Sequence, residues 1–363
     1  MNLENDNKVG VKEYSGILMI CLCIKATDTT PVLFYKEAMN AGWIIPLISS
    51  VIVFISLKCM LKLLERYKDK NLIQIMYQLL GKYIAFIIGI ILSVCITIAN
   101  AVNMRQYTDI MTTIYFRRTP TIALLLILTV SSCIIARFGF EAIGRISWMI
   151  LPWIIIIHIT FFILVYNLIK IDYLYPLGGA GIKSVLKGGV RYSTIFSEVI
   201  LYSIIFPKVK SYKEYSISSF ISLGYAALLI SIMSAVYLMV LDYPPIIINS
   251  TPFHTVARLI YGGRFISNLE AFFFLFWIIA TLVRFSMYLL VNAEIFSFTM
   301  KHKESKPLII PISALSMLIG LLPYNFFQNA FMTRAIFLSI MWPLIYMIPC
   351  IMLLLSQRRR DSK

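Results

Sequence analysis

Apolar stretches of about 18 or more residues recur along the whole chain, and they restrict its fold more than any other feature. A stretch of that length is what an α-helix needs to cross the hydrocarbon core of a bilayer. The stretches do not alternate with period two, as the strands of an outer-membrane barrel do. Only 14% of the residues are charged, against about 25% in a soluble globular chain. The sequence therefore predicts an all-α, polytopic membrane protein without a soluble domain.

The apolar pattern predicts ten transmembrane helices in a single integral membrane domain covering residues 1–363. Two short segments, 71–81 and 251–263, are predicted to be interfacial helices. The ten predicted spans are 14–35, 42–64, 82–112, 119–136, 140–168, 186–206, 214–241, 265–297, 307–323 and 331–356.

The net charge of +16 is unevenly distributed over these spans. With the N-terminus in the cytoplasm, 19 Lys and Arg residues fall on the cytoplasmic side and 10 on the other side. This bias predicts that both termini are cytoplasmic, which agrees with an even number of spans. Topology and anionic membrane lipid account for the basic surplus, so we expect no nucleic-acid partner.

The first predicted span contains the polar stretch KATDTTP, residues 25–31, near its middle. Charged side chains at that depth are costly and usually face the bundle interior or a cavity. Pro31 lacks an amide donor and disfavours helical backbone at the residue before it, so we expect non-helical backbone within 25–31. The candidate ligand-binding residues here are Lys25, Ala26, Thr27, Asp28, Thr29 and Thr30.

Two interpretations of this stretch remain open. In one, the helix has only a proline kink, and Lys25 and Asp28 form an ion pair that joins helices. In the other, the helix is broken, and its exposed backbone groups bind a small polar solute, as in transporters built from inverted repeats.

A second interrupted span favours the broken helix. About 170 residues after the first polar stretch, the segment RYSTIFSEVILYSIIFP (191–207) carries polar residues near its middle. Two interrupted segments at matching places in the two halves indicate a binding site near the membrane midplane. We predict non-helical backbone within 195–200 and add Phe196, Ser197 and Glu198 to the candidate site. The alternative for Glu198 is a carboxyl kept protonated inside the bundle.

Two other spans carry polar side chains at helical spacing. Trp277, Thr281 and Arg284 follow one face of the eighth span, and Arg284 needs a counter-charge from one of the interrupted segments. Asn100 lies on a polar face of the third span. Aromatic packing and interhelical hydrogen bonds are the alternatives to ligand binding at these four positions.

Enzyme, metal and cofactor functions find no support in the sequence. It contains no HExxH, GxSxG or Walker A motif, so no catalytic residues are predicted. The six cysteines form no CxxC pair and histidine is scarce, so no metal site and no cofactor are predicted either.

Four sequence blocks, in order and spacing, resemble the B-subunit permeases of GerA-type spore nutrient-germinant receptors. The resemblance extends from about residue 11 to 355. The blocks are RRTPTIALLLILTVSSCIIARFGFEAIGR (117–145), YLYPLGGAGIKSVLKGG (173–189), FSEVILYSIIFP (196–207) and YGGRFISNLEAFFFLFWI (261–278).

The resemblance implies the amino acid–polyamine–organocation superfamily fold. That fold has two inverted five-helix repeats, here about 11–168 and 184–356, with helices 1 and 6 interrupted. Residues 357–363 then form a cytoplasmic tail.

The resemblance also implies a role in spore germination, in the spore inner membrane. The chain would sense a small nutrient, typically an amino acid, together with an A subunit and a lipoprotein C subunit. Such permeases often place glycine where this chain has Ala26–Thr27–Asp28 and Ser197. For a zwitterionic ligand, we expect Asp28 to hold the ammonium, and amides near Ser197, with Arg284, to hold the carboxylate. The alternative function is an autonomous secondary transporter for amino acids or organic cations.

Overall fold

The computed structural model describes residues 8–260 and 269–361, and helices make up most of them. Short 3₁₀ and π-helical turns connect or extend several of the α-helices. The α-helices are α1 (Val11–Cys23), α2 (Thr30–Ala38), α3 (Ile45–Arg66), α4 (Leu72–Leu80), α5 (Lys82–Ile114), α6 (Thr121–Phe138), α7 (Phe140–Val165), α8 (Ile182–Arg191), α9 (Glu198–Leu201), α10 (Tyr212–Leu241), α11 (Pro252–Leu259), α12 (Leu269–Met300), α13 (Ile309–Gly320) and α14 (Arg334–Asp361).

Within the described ranges, seven helical stretches are long and apolar enough to cross a membrane. A shorter apolar helical stretch, Lys306–Gly320, corresponds to the predicted ninth span. The long stretches are Thr30–Arg66, Lys82–Ile114, Thr121–Phe138, Phe140–Leu168, Tyr212–Leu241, Phe273–Met300 and Gln328–Arg358.

The outer surface of the bundle is strongly apolar, as a lipid-facing surface should be. Large side chains such as Ile127, Met149 and Ile163 are more than half exposed on α6 and α7. A water-soluble chain rarely exposes contiguous apolar patches of this kind. Several polar and charged side chains are buried instead, which inverts the usual pattern of a soluble protein.

The predicted interruption of the first span is present. Helix α1 ends at Cys23, a 3₁₀ turn covers Ile24–Ala26, and α2 begins at Thr30. The helix therefore resumes at Thr30, inside the predicted non-helical range of 25–31 and one residue before Pro31. Proline is tolerated in the first turn of a helix because its missing amide would have no helical partner there.

The sixth predicted span is also interrupted, slightly earlier than predicted. Helix α8 ends at Arg191, and a 3₁₀ turn covers Ser193–Phe196. α-Helix then resumes at Glu198 in the single turn of α9, inside the predicted non-helical range of 195–200, before a second 3₁₀ stretch, Tyr202–Lys208.

The two interrupted segments lie antiparallel to each other. Near the start of the first segment, the Val9 amide donates to the Lys208 carbonyl at the end of the second (3.0 Å). At the opposite ends, the Ala180 amide donates to the Ala38 carbonyl (3.2 Å). This pairing places the two interruptions side by side in the middle of the bundle.

Short helices occupy both segments predicted to be interfacial. Helix α4 lies within 71–81 and begins with a capping box formed by Asn71 and Gln74. Helix α11 lies within 251–263. Residues 261–263 of that prediction, and 265–268 of the predicted eighth span, lie outside the described residues.

Candidate functional site

The two interruptions meet at Lys25. Its Nζ donates to the Glu198 carboxylate at 2.6 Å and to the Ile195 carbonyl. Lys25 pairs here with Glu198, and not with Asp28 as the proline-kink interpretation supposed. The turn between Lys25 and Asp28 is not α-helical, so they do not share a helical face, and the antiparallel segment brings Glu198 to Lys25 instead.

Glu198 is fully buried and its two oxygens have separate partners. Oε2 accepts from Lys25, and Oε1 accepts from the Tyr288 hydroxyl at 2.8 Å. Lys25 and Tyr288 therefore hold both oxygens of this carboxyl group in place.

Asp28 is also fully buried and engaged through both oxygens. Oδ1 accepts from the Thr30 amide at 2.7 Å, at the first residue of α2. Oδ2 accepts from Arg334 at 3.1 Å and from the Tyr107 hydroxyl at 3.3 Å. Both oxygens of Asp28, which we expected to hold a ligand ammonium, therefore already have protein donors.

Arg284 on α12 lies between the two carboxylates. One terminal nitrogen donates to the Tyr107 hydroxyl at 2.9 Å and lies 3.9 Å from Asp28 Oδ2. The other lies 4.0 Å from Glu198 Oε1. Nε of Arg284 is buried and has no hydrogen-bond partner among the described residues. The expected counter-charges are therefore both present, but only at long range.

Arg334, at the start of α14, belongs to the same cluster, and our sequence analysis missed it. It donates to Asp28, to the Thr30 hydroxyl at 2.7 Å and to Asn103 Oδ1 at 3.1 Å. Its position inside the predicted last span was the signal of burial, since an arginine there needs a partner in the bundle.

A narrow cavity adjoins this cluster, and we call it the cationic cavity. The first and sixth segments and helices α5, α12 and α14 form its walls. Its polar and charged lining residues include Lys25, Asn103, Thr194, Ser197, Arg284, Tyr288 and Arg334. Its apolar lining includes Leu92, Ile96, Phe337, Leu338 and Met341.

The remaining residues of the first predicted stretch contact neighbouring helices. The Ala26 carbonyl accepts from the Tyr237 hydroxyl at 2.9 Å. Thr27 Oγ1 accepts from the Trp277 indole at 3.0 Å, and Thr29 Oγ1 accepts from Gln106 at 2.7 Å. These contacts hold the non-helical turn in place between α5, α10 and α12.

Of the other four predicted residues, Ser197 lines the cationic cavity and the remaining three do not. The Ser197 amide, however, donates to the Thr194 carbonyl at 3.1 Å and is not free for a ligand. Phe196 is fully buried, and Thr281 donates to the Trp277 carbonyl within α12. Asn100 lies apart from the cluster and donates to Ser316 of α13 at 3.2 Å.

A second cavity lies on the other side of the first interruption, and we call it the aromatic cavity. Apart from Thr27 and His158, its lining is apolar. Its aromatic lining residues are Phe161, Phe253, Phe273, Phe276 and Trp277.

Helix α11 contributes Phe253 to the aromatic cavity and carries His254 beside it. The His254 ring packs edge-on against Trp277, with 5.6 Å between centroids. Its Nδ1 pairs with the Tyr115 hydroxyl at 3.0 Å. Burial lowers the pKa of His254 to about 3, so this imidazole is neutral at physiological pH.

The described residues contain no group of three or more His, Cys, Asp or Glu side chains that could hold a metal ion. The cationic cavity offers hydrogen bonding and charge pairing from fixed cations, next to apolar surface.

Comparison with known proteins agrees with this architecture. A family model described as "Spore germination protein" matches residues 16–328. Spore germination protein KB of Bacillus subtilis is 23% identical over 250 residues, which are 68% of this chain and 67% of that protein. The putative spore germination protein YfkT of Bacillus subtilis is 24% identical over 324 residues, or 87% of each chain.

Among solved structures, the fold is similar to that of Mhp1, a nucleobase-cation-symport-1 family transporter, in a closed conformation with bromovinylhydantoin bound. The TM-score is 0.70 at 14% identity, covering 99% of this chain and 82% of Mhp1. At that identity the likeness concerns the fold alone. The family match covers most of the chain, and the chain therefore belongs to the spore germination permease family, with the fold of a membrane transporter.

Proposed function

We propose that this chain is the transporter-like membrane subunit of a spore nutrient-germinant receptor, and that a small nutrient binds in the cationic cavity. The observation that carries the proposal is the meeting of two interrupted segments at Lys25 and Glu198, deep in the bundle. Buried charges inside a membrane protein are costly and tend to mark substrate or ion sites. The cationic cavity adjoins both interruptions.

The proposed topology is one membrane domain of ten spans, built as two inverted five-helix repeats. The antiparallel pairing of the first and sixth segments supports this, because inverted repeats require it. The excess of Lys and Arg on the N-terminal side favours two cytoplasmic termini. We propose the spore inner membrane as the location.

We propose that an A subunit and a lipoprotein C subunit complete the receptor, and that the chain itself performs no catalysis. Ligand binding would act by favouring one of two conformations that the partners detect. The proposed ligand-contacting residues are Lys25, Asn103, Thr194, Ser197, Arg284 and Arg334, which line the cationic cavity. Thr27, Asp28, Glu198 and Trp277 would hold these residues in position.

The transporter fold supports a second candidate, an autonomous secondary transporter. The two functions differ in their dependence on partners. A transporter reconstituted alone in lipid vesicles should accumulate solute, whereas a receptor subunit should signal only with its partners.

The test uses spores of a strain from which all other nutrient receptors have been removed. We expect these spores to lose optical density in a nutrient mixture, and to stop responding when this chain alone is deleted. A plasmid copy of the gene should restore the response. An unchanged response in the deletion strain, or solute uptake by vesicles that contain this chain alone, would refute the receptor function.

A further inference from the structure

We propose that the cationic cavity recognises a carboxylate, and that its ligand is a small organic anion or a zwitterion held through its carboxylate. This inference rests on the function proposed above and identifies the chemical class of the nutrient. It differs from the expectation drawn from the sequence, in which the carboxylate of Asp28 holds the ammonium group of the ligand.

The first observation is the charge balance of the buried cluster. Three cations, Lys25, Arg284 and Arg334, face only two carboxylates, Asp28 and Glu198, and all five side chains are at most 3% exposed. The nearest further pair on α5, Arg105 with Asp109, is neutral in itself. One positive charge of the cluster therefore has no counter-charge within the described residues.

An uncompensated charge at this depth is strongly unfavourable. The cost falls when an anion occupies a position beside the cations. Since the cavity adjoins them, a bound anion supplies the missing charge without rearrangement of the existing pairs.

The second observation is that all three cations line the cavity whereas neither carboxylate does. Arg284 also keeps hydrogen-bonding capacity, because its buried Nε has no partner among the described residues. Among the described residues, the Arg284 guanidinium makes one close hydrogen bond, to the Tyr107 hydroxyl. Arginine is the side chain best suited to planar, bidentate recognition of a carboxylate.

The third observation concerns ligand cations. Asp28 and Glu198 already accept from protein donors through both of their oxygens. Neither carboxylate lines the cavity, so a ligand ammonium there would meet Lys25, Arg284 and Arg334 first, and like charges repel strongly at low dielectric. The arrangement therefore disfavours amines as ligands.

The rest of the cavity wall limits the body of the ligand. Leu92 and Ile96 on α5 and Phe337, Leu338 and Met341 on α14 line this space with apolar surface. Such surface suits a short hydrocarbon chain better than a sugar, whose hydroxyls would lose hydrogen bonds to water. The inferred ligand class is a compact carboxylate with an apolar body.

The experiment measures the melting temperature of the purified full chain in detergent against the concentration of matched compounds. The probes are sodium acetate, sodium butyrate and sodium 4-methylpentanoate, each replacing sodium chloride mole for mole. Their counterparts are the corresponding amides, and amine hydrochlorides of equal chain length. A ligand that binds only the folded state raises the melting temperature with its concentration.

The critical variant is Arg284→Gln, which removes the excess charge and the free donor. We expect carboxylate affinity to fall about 10-fold to 150-fold, the usual range for a lost charged hydrogen bond. Arg284→Lys keeps the charge but lacks the planar guanidinium, so its carboxylate affinity should lie between those of the unmodified chain and Arg284→Gln. This conservative variant also guards against simple misfolding as the cause of the loss. The matched control is Arg145→Gln, because Arg145 has a 72% exposed side chain and pairs with Glu141 on the surface.

Stabilisation by at least one carboxylate but not by its amide or amine, lost in Arg284→Gln and kept in Arg145→Gln, supports the proposal. The proposal is overturned if all three probe classes behave equally, if no carboxylate stabilises the chain, or if the response of Arg284→Gln is unchanged.

The spore assay distinguishes a wrong ligand class from a wrong receptor function. If spores depend on this chain but respond only to amines or sugars, the ligand class is wrong and the receptor function stands. If carboxylates bind but the deletion has no effect on germination, the receptor function is wrong and the anion site stands.

Discussion

The cationic and aromatic cavities lie on opposite sides of the same helix interruption, yet their walls differ in chemistry. Lys25, in the interrupted turn, is part of the cationic wall. Thr27, two residues later, is part of the aromatic wall. Residues two positions apart on a helical turn point to nearly opposite sides, and the 3₁₀ turn at Ile24–Ala26 also lets the Ala26 carbonyl accept from Tyr237.

The comparison shows what distinguishes a binding site from a packing defect. An empty apolar space inside a membrane bundle costs the van der Waals contacts that its lining side chains lack. A space lined by three cations carries an additional electrostatic cost unless something compensates their charge. This additional cost is our reason for proposing the cationic cavity, and not the aromatic cavity, as the binding site.

The largest expected effect is on stability at the cationic side. Glu198→Leu should destabilise the chain by about 3–5 kcal/mol, because Lys25 would remain buried without its partner. The double variant Lys25→Met with Glu198→Leu should recover most of that loss, since replacement of both partners by apolar side chains is often neutral. Unfolding of the purified protein in detergent and its abundance in the membrane would measure both.

The matched control on the aromatic side is Phe161→Leu, a change of volume without a change of charge. It should cost clearly less than Glu198→Leu. If Glu198→Leu costs no more than Phe161→Leu, or if the double variant is as unstable as Glu198→Leu alone, then the buried charge of Lys25 does not cause the instability that we infer.

The next effect concerns the ligand and compares the two cavities directly. Ser197→Leu fills space in the cationic cavity, and Ala280→Leu fills space in the aromatic cavity; both parent side chains are small and buried. We expect Ser197→Leu to raise the nutrient concentration for half-maximal germination at least about tenfold, which corresponds to about 1.4 kcal/mol. Ala280→Leu should change it little.

The measurement is a nutrient dose–response on spores, with immunoblots showing equal amounts of the chain and its partners. A large shift in Ala280→Leu with a normal response in Ser197→Leu would move the binding site to the aromatic cavity. Loss of the protein in Ser197→Leu would mean that Ser197 serves packing.

The sequence predicted the interruptions well because their causes are local. A proline and a run of polar residues act on their own backbone, so Pro31 and the charges around it were sufficient to place the first break. The symmetry of the two halves then placed the second break to within a few residues. Even there, the position at which the helix resumes, Glu198, makes tertiary contacts with Lys25 and Tyr288 that the local sequence does not reveal.

The pairing of the charges could not be predicted in the same way. Lys25 was close in sequence to Asp28, but its partner is Glu198, which is 173 residues away. Arg334 reaches Asp28 across 306 residues. Such pairs depend on the relative positions of helices, and hydropathy gives no information on these. For the same reason Asn103, one helical turn from Asn100, lines the cavity while Asn100 contacts α13.

A smaller effect on stability is expected at Trp277, which lies beside the interrupted turn. Trp277 lines the aromatic cavity, donates to Thr27 and stacks on Tyr107 with 4.9 Å between centroids. Trp277→Phe keeps most of the stacking and removes the indole donor, so it should cost about 0.5–1.5 kcal/mol of stability.

A double-mutant cycle with Thr27→Val isolates that hydrogen bond. We expect a coupling free energy of about 1 kcal/mol between the two positions, measured by unfolding in detergent. Fully additive effects would show that the Thr27–Trp277 contact contributes nothing beyond packing.

The smallest expected effect is that of sodium, for which we predict none. Lys25 in the first segment and Arg284 on α12 place fixed positive charges where these two elements meet. A third cation held close to them would be repelled, and the repulsion is strong at low dielectric. The two carboxylates that could attract it already accept from protein donors.

Ligand binding by the purified chain should therefore be the same in sodium and potassium buffers of equal ionic strength. The neutralising variant Arg284→Gln provides the control, because any sodium effect that the fixed charge suppresses should emerge there first. Tighter ligand binding by the unmodified chain in sodium than in potassium would contradict the prediction. It would also show that the cationic cavity, like a symporter site, accepts an ion together with its ligand.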